Sequence, residues 1–173
     1  NEGTCLHVLP EVFAEFKKQY PGVAVNINRL ESTAILESVI ENSVDFGVVA
    51  LPVTDNRLTI VQIHRDELLA IASPSHPMAK MKAVTLEAVA KFPLLMPEHG
   101  RTRDALEQLY HERKLKLNIS MELDSSELLK RFVAAGVGVG FIARSNVEQD
   151  VKAGTLVAVS ISDAVVRRDL ALV

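Results

Sequence analysis

Apolar positions along the chain alternate between helical and strand spacing. The first predicted helix has apolar residues at helical intervals: Leu9, Val12, Phe13, Phe16 and Tyr20. Pro21-Gly22 ends that helix. A second helix is predicted, capped by Ser32 or Thr33, and another is predicted to follow 124–127. Further helices are predicted at 85–91, 103–113 and 145–151. Strands are predicted at 23–28, 46–50, 58–63, 68–72, 94–96, 119–123, 137–143, 156–161 and 170–173. This alternation predicts an α/β fold with largely parallel sheets.

A glycine-rich segment, residues 134–141, closes one predicted helix and opens the next strand. A dinucleotide-binding fingerprint has the opposite order, because its glycines follow a strand and open a helix. Nucleotide binding is therefore not predicted here. We expect Gly136 to follow the helix end, where a positive φ is needed, and Gly138 and Gly140 to allow close backbone approach within the strand.

Three polar loops connect a predicted strand to a predicted helix: Ser32-Thr33, Gly100-Arg101-Thr102 and Ser125-Ser126. A helix N-terminus exposes unpaired backbone N–H groups at the positive end of the helix dipole, which suits a bound anion. For any one loop, ordinary helix capping is the simpler explanation, and Asp124 with Glu127 three residues on resembles a capping box. Anion binding becomes the better interpretation if several of these termini converge on one cleft.

Composition and charge narrow the possible functions. The 173 residues are 48% hydrophobic and 24% charged, and their net charge of −3 argues against DNA contact by this chain itself. A single Cys excludes a disulfide framework and fits a reducing cytoplasm. The longest apolar segment, 132–143, is shorter than the roughly 20 residues that span a bilayer. Residues 1–4 lack the pattern of a signal peptide, so we expect a cytoplasmic protein without membrane contact.

Catalytic and metal-binding motifs are not recognisable in the sequence. The histidines are scattered without metal-ligand spacing and no nucleophile motif occurs, so we expect no metal, no cofactor and no enzymatic activity. His99 adjoins Gly100 and either touches a ligand or is structural. Cys5 precedes the first predicted helix and is either a packing residue or a reactive thiol.

Five short motifs follow one another in a recognisable order. They read LPEVFAEF at 9–16, YPGV at 20–23, SHPMA at 75–79, FPLL at 92–95 and VAAGVGVGFI at 133–142. Each is weak alone, but their order and spacing extend over nearly the whole chain. Together they resemble the effector-binding (regulatory) domain of LysR-type transcriptional regulators.

The resemblance implies a two-lobed, periplasmic-binding-protein type II-like α/β fold whose lobes are joined by two crossover strands. Lobe I would comprise residues 1–72 plus 144–173, and lobe II residues 73–143. In this family a small effector, often an organic or inorganic anion, binds between the lobes. The implied contact residues are Thr4, Cys5, Ser32, Thr33, Ala50, His99, Gly100, Arg101, Thr102 and Ser125. Arg101 either pairs with an anionic group of the effector or is a solvated residue at the rim.

The resemblance also implies partners. It implies a homodimer formed through lobe I, a tetramer for the full-length protein, and DNA contact only through an N-terminal helix-turn-helix that is absent from this chain. Two other classes stay open: a periplasmic solute-binding protein of a transporter, and an enzyme built on the same lobes. The enzyme would need titratable groups in the cleft. The upstream coding sequence separates the regulator from the solute-binding protein, since one begins with a helix-turn-helix and the other with a signal peptide.

Overall fold

The computed structural model of the protein describes residues 2–173. Its helices are α1 (Glu2–His7), α2 (Leu9–Gln19), α3 (Ser32–Ile40), α4 (Leu86–Val89), α5 (Arg101–Glu112), α6 (Ser126–Ala134) and α7 (Arg144–Lys152). Its strands are β1 (Val48–Ala50), β2 (Val61–His64), β3 (Leu68–Ala72), β4 (Ala83–Val84), β5 (Leu94–Pro97), β6 (Ile119–Leu123), β7 (Val139–Ala143), β8 (Val157–Ile161) and β9 (Leu170–Leu172). A short 3-10 helix spans Pro77–Lys80. None of the helices in this range has the length and apolar character needed to cross a membrane.

The chain divides into two units. Unit 1 comprises Asn1–Asp66 with Asp169–Val173, and unit 2 comprises Glu67–Arg168. This division differs from the predicted lobe bounds mainly at the second crossing, because residues 144–168 belong to unit 2. The reason is pairing: β8 pairs with β3, and α7 packs against β7 and β8. The predicted lobe bounds, after residues 72 and 143, fall at the ends of β3 and β7, and both strands lie within unit 2.

The sheet of unit 1 has three strands in the order β1-β9-β2. β9 pairs antiparallel with both neighbours, so the prediction of largely parallel sheets is wrong for this unit. The predicted strand at 23–28 is also not formed. Its residues are exposed and have no regular secondary structure. A strand is stabilised by ladder hydrogen bonds to a neighbour, and no strand of residues 2–173 pairs with this segment.

The sheet of unit 2 has six strands in the order β4-β8-β3-β7-β5-β6. It is mixed: β5 runs parallel to β6 and β7, and β4 runs parallel to β8. β3 is antiparallel to its neighbours β7 and β8. The parallel part lies where strands alternate with α5 and α6, because a parallel pair needs a crossover connection.

Helices cover both faces of the unit 2 sheet. Alternate residues of β5 enter different apolar clusters, Leu94 and Met96 on one face and Leu95 on the other, as the pleat of a strand requires. Tyr110 of α5 belongs to the first cluster and Leu129 of α6 to the second. The amphipathic helix patterns in the sequence therefore point to the faces that are buried.

The glycine-rich segment performs the packing role predicted for it. Gly136 follows the end of α6 with a φ of 82°, and its N–H donates to the carbonyl of Val133 at 2.9 Å. A Cβ atom at Gly138 would lie 2.7 Å from Leu95 Cδ1 and also against the carbonyl oxygen of Pro93. Only a residue without a side chain fits there, so this part of the prediction is confirmed.

Candidate functional site

Half of the predicted contact residues lie together at one edge of the unit 2 sheet. β5 and β6 are parallel, with Pro97 opposite Leu123, and the N–H of Glu98 donates to the carbonyl of Leu123 at 2.9 Å. Both strands therefore end at the same edge, and a helix begins soon after each one. We define this place, residues 97–103 and 122–126, as the β5–β6 edge. It contains His99, Gly100, Arg101, Thr102 and Ser125.

The two helix N-termini at the β5–β6 edge are capped differently. Gly100 is the N-cap residue of α5, and it has no side chain with which to cap the first turn of this helix. α6 has a conventional cap, since the hydroxyl of Ser125 accepts from the N–H of Leu128 at 3.2 Å. The predicted capping box beginning at Asp124 is therefore wrong by one residue. Of the two helices, α5 presents the N-terminus that a ligand can cap.

The first turn of α5 directs backbone donors away from the helix. Its first intrahelical hydrogen bond runs from the N–H of Asp104 to the carbonyl of Gly100 at 3.1 Å, so the N–H groups of residues 101–103 precede it. Arg101 and Thr102 are partly buried, and His99 is exposed. Such a turn combines N–H donors, a hydroxyl and a guanidinium, which are the groups that bind carboxylate, phosphate or sulfate oxygens.

Arg103 also belongs to the β5–β6 edge, although the sequence placed it only in the helix. Its guanidinium hydrogen bonds to the carboxylates of Glu122 and Glu107, and these bonds raise its pKa. The Glu107 contact could have been found, since the two residues are four positions apart on one helix. The Glu122 contact could not, because it depends on the pairing of β5 with β6.

The other predicted contact residues lie in unit 1. Thr4 and Cys5 belong to α1 and line a cavity of about 750 Å³, which is bounded largely by residues 23–30 and 43–48. The sequence predicted that Cys5 precedes the first helix. Cys5 instead lies within α1. Ser32, Thr33 and Ala50 are not among the residues that line this cavity. The structure thus brings together two of these five residues.

The N-cap of α3 lies one residue before the earlier of its two predicted caps. Ser32 is its first helical residue, and the N-cap is Glu31, which makes no capping hydrogen bond with its side chain. Ala50 ends β1 and is buried. Ser32 and Thr33 therefore stand in the first turn of a helix whose N-cap residue makes no capping hydrogen bond with a side chain, as Arg101 and Thr102 do in α5.

Within residues 2–173, no three His, Cys, Asp or Glu side chains are grouped closely enough to hold a metal ion. His76 is structural: its Nδ1 accepts from the N–H of Met78 at 3.2 Å, and its ring packs edge-on against Phe92. Burial lowers the pKa of His76.

The two mixed α/β units together match solved domains that have the type II periplasmic-binding-protein-like fold. Comparison with known families identifies the domain more closely. The family model of the LysR substrate binding domain matches residues 1–173, and the chain belongs to this family.

Relatives of the chain are named as transcription regulators. It is 33% identical over 138 residues to the HTH-type transcriptional activator CmpR of Synechocystis, which covers 79% of this chain and 45% of CmpR. It is 30% identical over 156 residues to the HTH-type transcriptional regulator YeiE of Escherichia coli, with 90% and 53% covered. The chain thus spans about half the length of the curated relatives it matches.

Solved structures share the fold. The regulatory domain of Synechocystis CcmR in complex with 2-PG superposes with a TM-score of 0.87 at 23% identity, covering 99% of this chain and 82% of that one. The effector binding domain of QuiR in complex with shikimate superposes with a TM-score of 0.83 at 14% identity, covering 98% and 81%. At these identities the likeness establishes the architecture of this chain.

Proposed function

We propose that this chain is the ligand-sensing domain of a bacterial LysR-type transcription regulator and that it binds a small anionic effector at the β5–β6 edge. Family membership over residues 1–173 and the names of the relatives support the class. The observation that carries the location is the glycine N-cap of α5, which brings no capping side chain, beside the N-terminus of α6. Two helix dipoles there favour negative charge at one place.

Each residue of the edge has a role in this proposal. The N–H groups of the first turn of α5 and the hydroxyl of Thr102 donate to the effector, and Arg101 supplies the positive charge. His99 and Ser125 border the same place. We propose no catalytic role, because the family is that of the LysR substrate binding domain and the relatives are named as transcription regulators. The contacts predicted for Thr4, Cys5, Ser32, Thr33 and Ala50 remain part of the proposal.

The rest of the regulator supplies DNA contact in this proposal. The chain has a net charge of −3 and spans about half of its relatives, whose names contain the term HTH. Effector binding would change DNA binding by favouring one of two states of the protein. We further propose a cytoplasmic homodimer formed through unit 1, where α2 and α3 bury none of their described residues within the chain. A tetramer is proposed for the full-length protein.

The test is a ligand screen followed by titration of variants. Thermal shift with sulfate, phosphate and small mono- and dicarboxylates should identify a stabilising anion, whose affinity is then measured by calorimetry. Thr102→Ala and Arg101→Ala should each weaken binding by about 10- to 100-fold, since a hydrogen bond to a charged group contributes about 1.5–3 kcal/mol. Arg131→Ala is the matched control, because Arg131 is an exposed arginine at the other end of α6.

Unchanged affinity in both edge variants would exclude the β5–β6 edge as the site. Thr33→Ala tests the unit 1 residues in the same titration. The parent gene tests the class: an upstream helix-turn-helix is expected, and a signal peptide in its place would instead indicate the solute-binding protein of a transporter. Sedimentation of the purified chain tests the proposed dimer.

A further inference from the structure

Arg103 contacts three of the four elements that meet at the β5–β6 edge. Its Nη1 donates to the carbonyl of Pro97 at 3.0 Å and to the carbonyl of Glu98 at 3.2 Å, at the end of β5. The same nitrogen hydrogen bonds to the carboxylate of Glu122 in β6. Its Nε donates to Oε1 of Glu107, one turn further along α5, at 2.7 Å. One side chain thus joins β5, β6 and α5.

The side chain of Arg103 is more buried than the side chains of its two acidic partners. The Arg103 side chain is 20% exposed, whereas those of Glu107 and Glu122 are 44% and 48% exposed. A planar guanidinium can direct donors to several acceptors at fixed angles, which the single ammonium of lysine cannot do. The carbonyls of Pro97 and Glu98 lie immediately before His99 and Gly100, so the position of the loop depends on them.

We propose that Arg103 is the positioning residue of the effector site: it holds the loop before α5 against the end of β6 and neutralises the carboxylate of Glu122. This inference rests on the proposed function. Without Arg103, the carbonyls of Pro97 and Glu98 lose their donor, and the charge of Glu122 acts unopposed about three residues from the N-cap of α6. Both changes act against an anion at the first turn of α5.

Two backbone hydrogen bonds report the position of the loop without any ligand. The N–H of Glu98 donates to Leu123, and the N–H of Asp104 donates to Gly100. Amide exchange at Glu98 and Asp104 therefore measures local opening of the edge. In Arg103→Lys, which keeps the charge, we expect these two amides to exchange at least ~10-fold faster, while amides of β3 and β9 keep their rates.

Arg113→Lys is the matched control, because Arg113 stands at the other end of α5 and pairs with Asp163. It should leave Glu98 and Asp104 unchanged. The second arm measures affinity for inorganic sulfate from the chemical shifts of the Arg101 and Thr102 amides. Arg103→Lys should lower this affinity about 10-fold. Arg103→Gln also leaves the charge of Glu122 unopposed and should lower the affinity further, and adding Glu122→Gln should recover that further loss but leave amide exchange fast.

The amide-exchange and sulfate-affinity measurements test two separate claims, the positioning role of Arg103 and the proposed function. Unchanged exchange at Glu98 and Asp104 in Arg103→Lys overturns the positioning role, whatever the chain binds. Equal acceleration of the β3 and β9 amides also overturns it, because a general loss of stability would then account for the effect. A wild-type chain that responds to no anion counts against the proposed function, and the exchange arm still decides the role of Arg103.

Discussion

Lys130 provides the sharpest test of how unit 2 is held together. Its side chain is 3% exposed, and its ammonium group lies between α6 and α7. It donates to Oε1 of Glu127 at 2.9 Å within α6, and to Oδ2 of Asp150 at 2.7 Å and the carbonyl of Asn146 at 2.9 Å in α7. Lysine is almost never fully buried unless it is paired, as it is here.

The perturbation is Lys130→Met, which keeps most of the packed volume and removes the charge. Breaking a fully buried ion pair costs about 3–5 kcal/mol, because the partner charge is left uncompensated. Here the two carboxylates keep contact with water, since Glu127 is 31% and Asp150 22% exposed. We therefore expect a loss of about 2–4 kcal/mol, which lowers the Tm of a chain of this size by about 5–15 °C.

Tyrosine fluorescence gives a suitable assay. The chain has no Trp and two Tyr, so Tyr20→Phe leaves Tyr110, buried in unit 2, as the reporter of urea unfolding. Lys152→Met is the matched control, because its pair with Glu148 is 73% and 63% exposed. That exposed pair should contribute less than about 0.5 kcal/mol.

The reasoning also predicts a rescue. Neutralising the whole group in Lys130→Met with Glu127→Gln and Asp150→Asn should recover most of the lost stability, because no uncompensated charge remains. If Lys130→Met costs no more than Lys152→Met, the buried ammonium does not hold α6 to α7. If the triple variant is less stable than the single one, uncompensated charge is not the cause of the loss.

Three further substitutions test the packing of unit 2. Gly138→Ala should destabilise the chain by about 2–3 kcal/mol, because its Cβ would collide with the carbonyl of Pro93; urea unfolding measures this. Tyr110→Phe should preserve stability or raise it by about 1 kcal/mol, since the buried hydroxyl of Tyr110 has no hydrogen-bond partner among residues 2–173. Removing His76 should make stability less dependent on pH. Its folded pKa is lowered below the ordinary 6.5, so its neutral form stabilises the fold above that pH, and the contribution is lost as pH falls through the folded pKa.

Each of these substitutions has a control. Gly22→Ala meets open space and should have little effect, so equal losses at the two glycines would contradict the close-approach argument. Tyr20→Phe changes an exposed tyrosine, and a loss of stability confined to Tyr110→Phe would mean that the buried hydroxyl is satisfied. His76→Gln is compared with His111→Gln, an exposed histidine, by Tm between pH 5 and 8. If the two variants have the same pH profile, His76 is not the group responsible.

Local pattern determined much of the secondary structure. Apolar spacing predicted α2, β3 and β6, and the glycines predicted the end of α6 at Gly136 and the close approach at Gly138. These features depend on neighbours within a few residues, so helix periodicity and φ preference are sufficient. The strand at 23–28 had the right local pattern and did not form, because a strand also needs a partner that its own residues cannot supply.

Only the tertiary structure decided how the residues of the candidate site, the β5–β6 edge, come together. The sequence offered Gly100-Arg101-Thr102 and Ser125 as separate helix starts, and parallel pairing of β5 with β6 places them at one edge. The same pairing brings Glu122 to Arg103, a contact between residues far apart along the chain. Strand order also placed residues 144–168 in unit 2. Hydrophobic periodicity states which face of an element is buried, but it carries no information about which elements become neighbours.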